Sequence, residues 1–330
     1  MADNTMTADA TMRTSSWKRI GNMREAGLIA IILVLCIVMT FASPYFLTLG
    51  NLRAMLMSFS VEGIVVVGMT ILLIVGGIDL SVGSVVCFSM VLSGFLFLAG
   101  LDPWTASLVG ILASGAIGAV MGFFVTVVGL NHFITSLAAM VIIRGLCLII
   151  TKGTPLSLFT LPPSFKAVGQ GTFQGIPYVI LIFVAVVALF DFMLRRATAF
   201  RKVFYTGSNE KAALYSGIRT NHVKFWVTVL CSTLAGVAGV IYMSRFGAAT
   251  PTFGVGMELN IIAAAVIGGA SLKGGSGTIL GAILGIALLS VVTSSLILLD
   301  VSVYWQDMIK GCILLTAVSI DHFLHKRKAH

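Results

Sequence analysis

The sequence predicts an all-α integral membrane protein of about ten transmembrane helices, some broken, with a likeness between its two halves. Three observations predict it. Apolar residues make up 58% of the 330 residues and charged residues only 10%, with a mean hydropathy of +1.05. A soluble domain carries about 25% charge, so this chain cannot clothe a water-facing globule in polar groups. Long windows without charge recur along it. A paired-glycine pattern occurs twice, once in each half.

A span needs about 20 apolar residues, because the hydrocarbon core is about 30 Å thick and a helix rises about 1.5 Å per residue. Residues 1–26 form a polar tail rich in Thr, Ser and Met, read as cytoplasmic; residues 27–324 form the transmembrane domain. The window Ala26–Leu52 holds a first span. Its basic flank also fits a signal peptide, but the run is long and Ser43-Pro44-Tyr45 offers no small-x-small cleavage site. It is read as an uncleaved helix. Leu80–Leu101, between Asp79 and Asp102, holds another span. Pro103–Ile143 is too long for one span and breaks at Gly129-Leu130-Asn131-His132. Ala167–Phe190, Phe225–Ser244 and Gly274–Leu299 hold one each. Four more apolar segments carry isolated charges: 52–77, 131–151, 256–270 and 303–323. The basic tail 325–330 closes the chain.

The net charge of +9 is read by position. In a membrane protein Lys and Arg gather in cytoplasmic loops, so the surplus is no nucleic-acid footprint. With the N-terminus inside and ten alternating spans, fifteen bases fall inside and four (Arg53, Lys152, Lys166 and Arg245) outside. Both termini are therefore expected to be cytoplasmic. The five cysteines lie in apolar stretches, are odd in number and form no CxxC, so neither a disulfide framework nor a metal cluster is expected.

Two soluble segments remain. The external loop 152–176, rich in Pro, Gly and Thr, is a plausible docking surface. The inward loop 195–221 should carry a short helix. Ser208 or Asn209 can cap it, Glu210 suits the positive end of its dipole, Ala212, Ala213 and Leu214 continue it, and Gly217 ends it. A helix of about two turns is marginal alone, so its own surface or a partner must hold it. The loop, with Arg201 and Gly207, fits either a basic segment obeying the positive-inside rule or a docking element for a cytoplasmic partner.

Gly76-Gly77-Ile78-Asp79-Leu80-Ser81-Val82-Gly83-Ser84 and Gly268-Gly269-Ala270-Ser271-Leu272-Lys273-Gly274-Gly275-Ser276 both read GGxxLxxGS. Duplicated glycine breaks point to a transporter's internal repeat and solute pathway, although simple turns at the membrane surface fit as well. Within apolar runs, Glu62, Asp79, Arg144, Glu258, Asp307 and Lys310 each cost several kcal/mol unless paired or hydrated. Asp307 and Lys310 share a helix face and can neutralise each other. The other four must pair across helices or face a hydrated path.

No GxxxxGK[ST], HExxH or GxSxG occurs, and the five histidines do not cluster. No catalytic residue, metal site or cofactor is expected in this chain, which has no visible energy source of its own.

The runs GGIDLSVGS (76–84), ITSLAAMVIIRGL (134–146), NEKAALYSGI (209–218), GVGMELNIIAAAVIGGASLKGGSGTILGAILG (254–285) and WQDMIKGCILLTAV (305–318) resemble the permease subunits of sugar ABC importers of the ribose, xylose, arabinose and galactose type. The resemblance covers roughly residues 28–323. It implies an ABC importer permease fold in a bacterial inner membrane. It implies two permease copies or related permeases around the pathway, cytoplasmic ATPase subunits that use ATP, and an extracytoplasmic sugar-binding protein. It makes 198–218 the element that couples to the ATPase. Ser81, Asn260 and the two glycine motifs become pathway candidates. Three positions depart from the family pattern: His132 stands where Pro is usual, Asn260 where Asp is, and Ser294-Ser295 where Asn-Gly is. If they touch solute, its identity differs from ribose. A related permease for branched-chain amino acids or nucleosides, and an ion-coupled carrier working alone, are the competing readings.

Overall fold

A computed structural model describes residues 25–328; in the last helix several side chains, Asp307 among them, are left undescribed. The expected Asp307–Lys310 neutralisation and most of the N-terminal tail lie outside the described residues. The protein is almost wholly helical. Seven helices among the described residues are long and apolar enough to cross a membrane: α1 Glu25–Ala42, α2 Leu49–Ile74, α4 Pro103–Phe123 (extended as a π-helical turn to Val128), α5 His132–Thr151, α7 Tyr178–Arg196, α10 Thr220–Phe246 and α12 Ile279–Leu298. Two apolar helices are shorter, α3 Val82–Leu98 and α11 Met257–Ile267. The last helix, α13 Val303–Lys328, runs into the basic tail.

About ten spans are expected, and seven helices are long and apolar enough. Helices α3 and α11 are shorter, and α11, stopped by the second glycine motif, keeps only 11 residues, about half the thickness of a hydrocarbon core; α13 is long but is not among the seven. The window 167–190 also needs correction. Pro163–Gln170 forms a short helix, α6, and Thr172–Phe173 and Ile176–Pro177 form a hairpin, β2–β3. Span α7 therefore starts only at Tyr178. Gly175, at φ 86°, turns the hairpin.

The core sits around α2 and α10, whose apolar windows are 83% and 67% buried; α1 is 11% buried and α4, α5 and α7 are 22% buried. The outer four have the exposed apolar faces that lipid covers. Lipid tails are as apolar as leucine, so helices in a membrane associate by close packing of small residues. Helices α4 and α10 do this through a seam of Gly and Ser. A Cβ at Gly118 would lie 2.8 Å from the Ser232 side chain, and one at Gly236 would lie 2.7 Å from that of Ser114. The expected break after α4 is present: Gly129 is left-handed at φ 81°, the Leu130 N–H donates to the Phe124 carbonyl, and Asn131 caps α5 by accepting from the Phe133 N–H.

The external loop is built rather than loose. Strand β1 Leu156–Ser157 pairs antiparallel with β4 Ala248–Ala249. Ser244 in α10 accepts from the Gly169 N–H at 2.9 Å and donates to the Phe165 carbonyl at 2.7 Å. These bonds clamp α6 onto the end of α10.

Candidate functional site: the inward loop and the glycine junction

The inward loop folds as two helices, α8 Thr198–Ser208 and α9 Glu210–Tyr215. Sequence reading anticipates α9 and its punctuation. The Asn209 side chain accepts from the Ala212 N–H at 3.0 Å, Glu210 stands in the first turn, and Gly217 sits at φ 80°. The Ile218 N–H reaches back to the Ala213 carbonyl, completing a Schellman end. Helix α8 was missed. Its signal was legible: Phe200, Val203, Phe204 and Gly207 recur at helical spacing on one face, opposite exposed Arg201, Lys202 and Tyr205. Phe200 meets Phe190 of α7 edge-on at 6.3 Å.

Helix α9 is held from below and bare above. Ala213 alone is buried. Glu210 pairs with Lys224 at 2.6 Å, an exposed contact worth about 0–1 kcal/mol. Leu214 is 52% and Tyr215 92% exposed, so the tip offers apolar surface to water.

The end of α8 sits where the two glycine motifs meet. The Gly275 N–H donates to the Ile74 carbonyl, at the end of α2, at 2.8 Å. Gly207 presses on the same place: a Cβ there would fall onto the Ile74 oxygen and lie 2.7 Å from the Gly275 nitrogen. A Cβ on Gly274 would lie 2.9 Å from the Gly207 oxygen and 3.1 Å from the Gly76 Cα. Gly207, Gly274 and Gly275 therefore form, with the Gly76 backbone, one junction in which a Cβ on any of the three meets a neighbour at once, while Gly76 is held by its left-handed turn. Directly after it comes α9.

Both motifs close a helix by the same turn, but one residue apart. After α2 the left-handed residue is Gly76, at φ 89°, with the Gly77 N–H bonded to the Leu72 carbonyl; after α11 it is Gly269, at φ 107°, with the Ala270 N–H bonded to the Ala265 carbonyl. The sequence match pairs Gly76 with Gly268, whereas the geometry pairs it with Gly269.

The intramembrane charges find separate places. Asp79 is fully buried; its Oδ1 accepts from the Ser81 N–H at 2.7 Å and from the Ser81 hydroxyl at 2.6 Å, holding the turn into α3. Its other oxygen has no hydrogen-bond partner among the described residues. Glu258 Oε1 accepts from the Gly256 N–H at the start of α11, and Oε2 lies buried against Gly83. Arg144 donates to the Phe253 carbonyl, joining α5 to the loop before α11. Glu62, Asn260 and Lys310 line one pocket, together with Ser294. His132 is elsewhere: its ring nitrogens bond the Ile78 carbonyl at 2.7 Å and the Thr228 hydroxyl at 3.0 Å. No group of three His, Cys, Asp or Glu able to hold a metal occurs among the described residues.

Comparison with known proteins supplies the class. A family model described as branched-chain amino acid transport system / permease component matches residues 51–318. The ribose import permease protein RbsC of Bacillus subtilis (strain 168) is 35% identical over 91% of this chain and 94% of its own. The L-arabinose ABC transporter permease protein AraH of Azospirillum brasilense is 34% identical over 97% of this chain and 93% of its own. The D-allose transport system permease protein AlsC of Escherichia coli (strain K12) is 32% identical over 89% of this chain and 90% of its own. No solved structure matches. With its apolar helices, its family match and these relatives, the chain belongs to the multi-pass permease components of ABC importers, in the family described as the branched-chain amino acid transport system permease component.

Proposed function

We propose that this chain is the membrane-spanning permease subunit of an ATP-driven sugar importer. It forms part of the solute pathway with a second permease copy or a related permease. It binds no cofactor; ATP is used by separate cytoplasmic ATPase subunits, and an extracytoplasmic sugar-binding protein delivers the solute. Both termini face the cytoplasm. The relatives' names support sugar as the solute class.

The observation that carries the mechanism is the exposed helix α9 joined through Gly207 to both glycine turns. ATPase subunits that grip Leu214 and Tyr215 and draw together move α9. Through the backbone contacts at Ile74, Gly207 and Gly275 the motion reaches the ends of α2 and of the segment after α11. Only contacts that differ between outward-open and inward-open states drive such a change. Gly76, Gly77, Asp79, Ser81, Glu258, Asn260, Gly268, Gly269, Gly274 and Gly275 lie on or beside these moving segments, whereas Arg201, Asn209, Glu210, Ala212, Ala213 and Gly217 shape the coupling element.

The test is reconstitution with the ATPase and binding protein. ATP-dependent uptake of a sugar is the expected result. Uptake of leucine instead would favour the second reading, a branched-chain amino acid permease, which the family description supports. Uptake without any ATPase would make the chain an independent carrier.

A further inference from the structure

Helices α2 and α12 face each other with polar stripes. On α12, Ser290, Thr293 and Ser294 stand at i, i+3 and i+4, a single face. On α2, Asn51, Ser58 and Glu62 also follow one face. Between them lies a pocket of about 240 Å³, closed at its sides by Asn260 of α11 and Lys310 of α13.

The hydroxyls here lack the usual bond within their own helix; elsewhere Ser93, Thr206 and Ser232 lack a partner among the described residues too, but do not line this pocket. A Ser or Thr inside a helix commonly bonds back to the carbonyl four residues earlier. Ser60, Thr70, Ser107, Ser114, Thr151 and Ser295 all do so. Ser290 and Thr293, with Asn260, give their side-chain polar groups to no hydrogen bond among the described residues. Ser294 spends its proton across the helix gap, on Asn51 Oδ1 at 3.2 Å. Uncommitted polar groups in an apolar setting each cost free energy unless water or a ligand meets them.

We propose that the pocket lined by Ser290, Thr293 and Asn260 is a contact site for an uncharged polyhydroxylated solute of monosaccharide size. Four observations select that class. Hydroxyls and carboxamides both donate and accept, as sugar hydroxyls do. The one acid and one base in the lining, Glu62 and Lys310, balance, so neither an anion nor a cation is favoured. No aromatic ring lines it, so no platform exists to stack a base. A cavity of about 150 Å³ holds benzene, and a five- or six-carbon sugar is less than twice as large. The site rests on the permease reading above and adds to it a place where the solute is touched. With the proposed orientation it lies in the outer half of the membrane. An adjoining cavity, lined by Val34, Leu35, Leu288 and Ile313 among others, is wholly apolar and serves as a built-in comparison.

Two measurements test the site in the assembled importer. In a cysteine-free background, Thr293→Cys is treated in membrane vesicles with a water-soluble methanethiosulfonate, beside Val34→Cys in the apolar cavity. We expect Thr293→Cys to react roughly tenfold faster, since thiol attack requires access and a thiolate. D-ribose, L-arabinose or D-allose at saturating concentration should slow it, and leucine should not. Second, the double change Ser290→Ala with Thr293→Val, which removes hydroxyls with little change of shape, should raise the KM for uptake about five- to fiftyfold while ATP hydrolysis stays stimulated. Equal labelling of the two cysteines, protection by leucine alone, or unchanged uptake in the double variant each overturns the assignment. Failure of the wild-type importer to take up any sugar instead sinks the permease's sugar reading, and is seen before any variant is made.

Discussion

Replacing Gly207 with alanine tests the junction directly. The added methyl meets backbone, the Ile74 oxygen and the Gly275 nitrogen, so no flexible side chain can swing aside. Such overpacking costs about 1–3 kcal/mol. The 2.8 Å bond between Gly275 and Ile74 is displaced as well, at about 0.5–1.5 kcal/mol. Alanine returns about 1 kcal/mol through its higher helix propensity. The balance is a loss of about 2 kcal/mol, borne by the docking of α8 rather than by the whole bundle, so the undocked population rises about thirtyfold. Limited trypsin digestion at the exposed Arg201, Lys202 and Lys211 reads that population while opening is fast relative to cleavage. Sugar taken up per ATP hydrolysed, in vesicles holding the complete importer, reads coupling. We expect faster cleavage and a lower ratio for Gly207→Ala. Gly145→Ala, with nothing within 4 Å of its new methyl, should change neither. A Gly207→Ala importer with wild-type cleavage and coupling would refute the junction.

Three further outcomes follow. Glu210→Arg replaces an exposed pair with like charge against Lys224; unfolding should shift by no more than about 1 kcal/mol, yet ATP hydrolysis should run on without uptake, as measured in reconstituted vesicles. Asp79→Ala strands the Ser81 N–H and leaves its hydroxyl only the Met121 sulfur at a fully buried turn, so stability should fall by about 1–3 kcal/mol in thermal unfolding and uptake should drop, with the sugar's affinity for its binding protein unchanged. Ser244→Ala removes two of the bonds that clamp α6 to α10; amide exchange at Gly169 should accelerate about tenfold, and unchanged exchange would show that the Gln170 bond to the Arg245 carbonyl and the β1–β4 pairing suffice to hold the loop.

How much of this was legible depended on the kind of signal. Charge-free windows located the long spans, and the Asn209 cap with Gly217 marked α9 almost residue by residue, because caps and left-handed ends are local chemistry. Lengths inside the membrane were less legible. The run from 256 to 270 reads as a span, but α11 stops after Ile267 because Gly269 turns the chain, and hydropathy does not register a turn. The glycine repeat was visible while its register was not: GG gives two equivalent places for a left-handed residue, and packing decides between them. Helix α8 has a legible apolar face in Phe200, Val203 and Phe204, which the basic residues of its other face overshadow when the loop is read by charge. Junction and pocket alike depend on contacts between distant segments. Glu62, Asn260 and Ser294 each looked odd in the sequence, but only the meeting of α2, α11 and α12 explains why they are odd together.

Helix α2 carries a consequence for how the protein is made. From Ser60 to Ile74 all residues but Glu62 are buried in the finished fold, so this half of the helix has little contact with lipid. Its cover includes α7, α10 and α12, all synthesised later; α10 begins at Thr220. A helical stretch with one ionisable side chain, whose two hydroxyls at Ser60 and Thr70 bond back to their own helix, can wait in the bilayer, solvated by acyl chains, until its neighbours emerge and displace them. The apolarity of α2 from Gly63 to Ile74 is therefore a requirement of its transient life during biosynthesis. Polar substitutions on its buried face that a later partner could satisfy in the native bundle should be selected against at the step of insertion, before any partner exists.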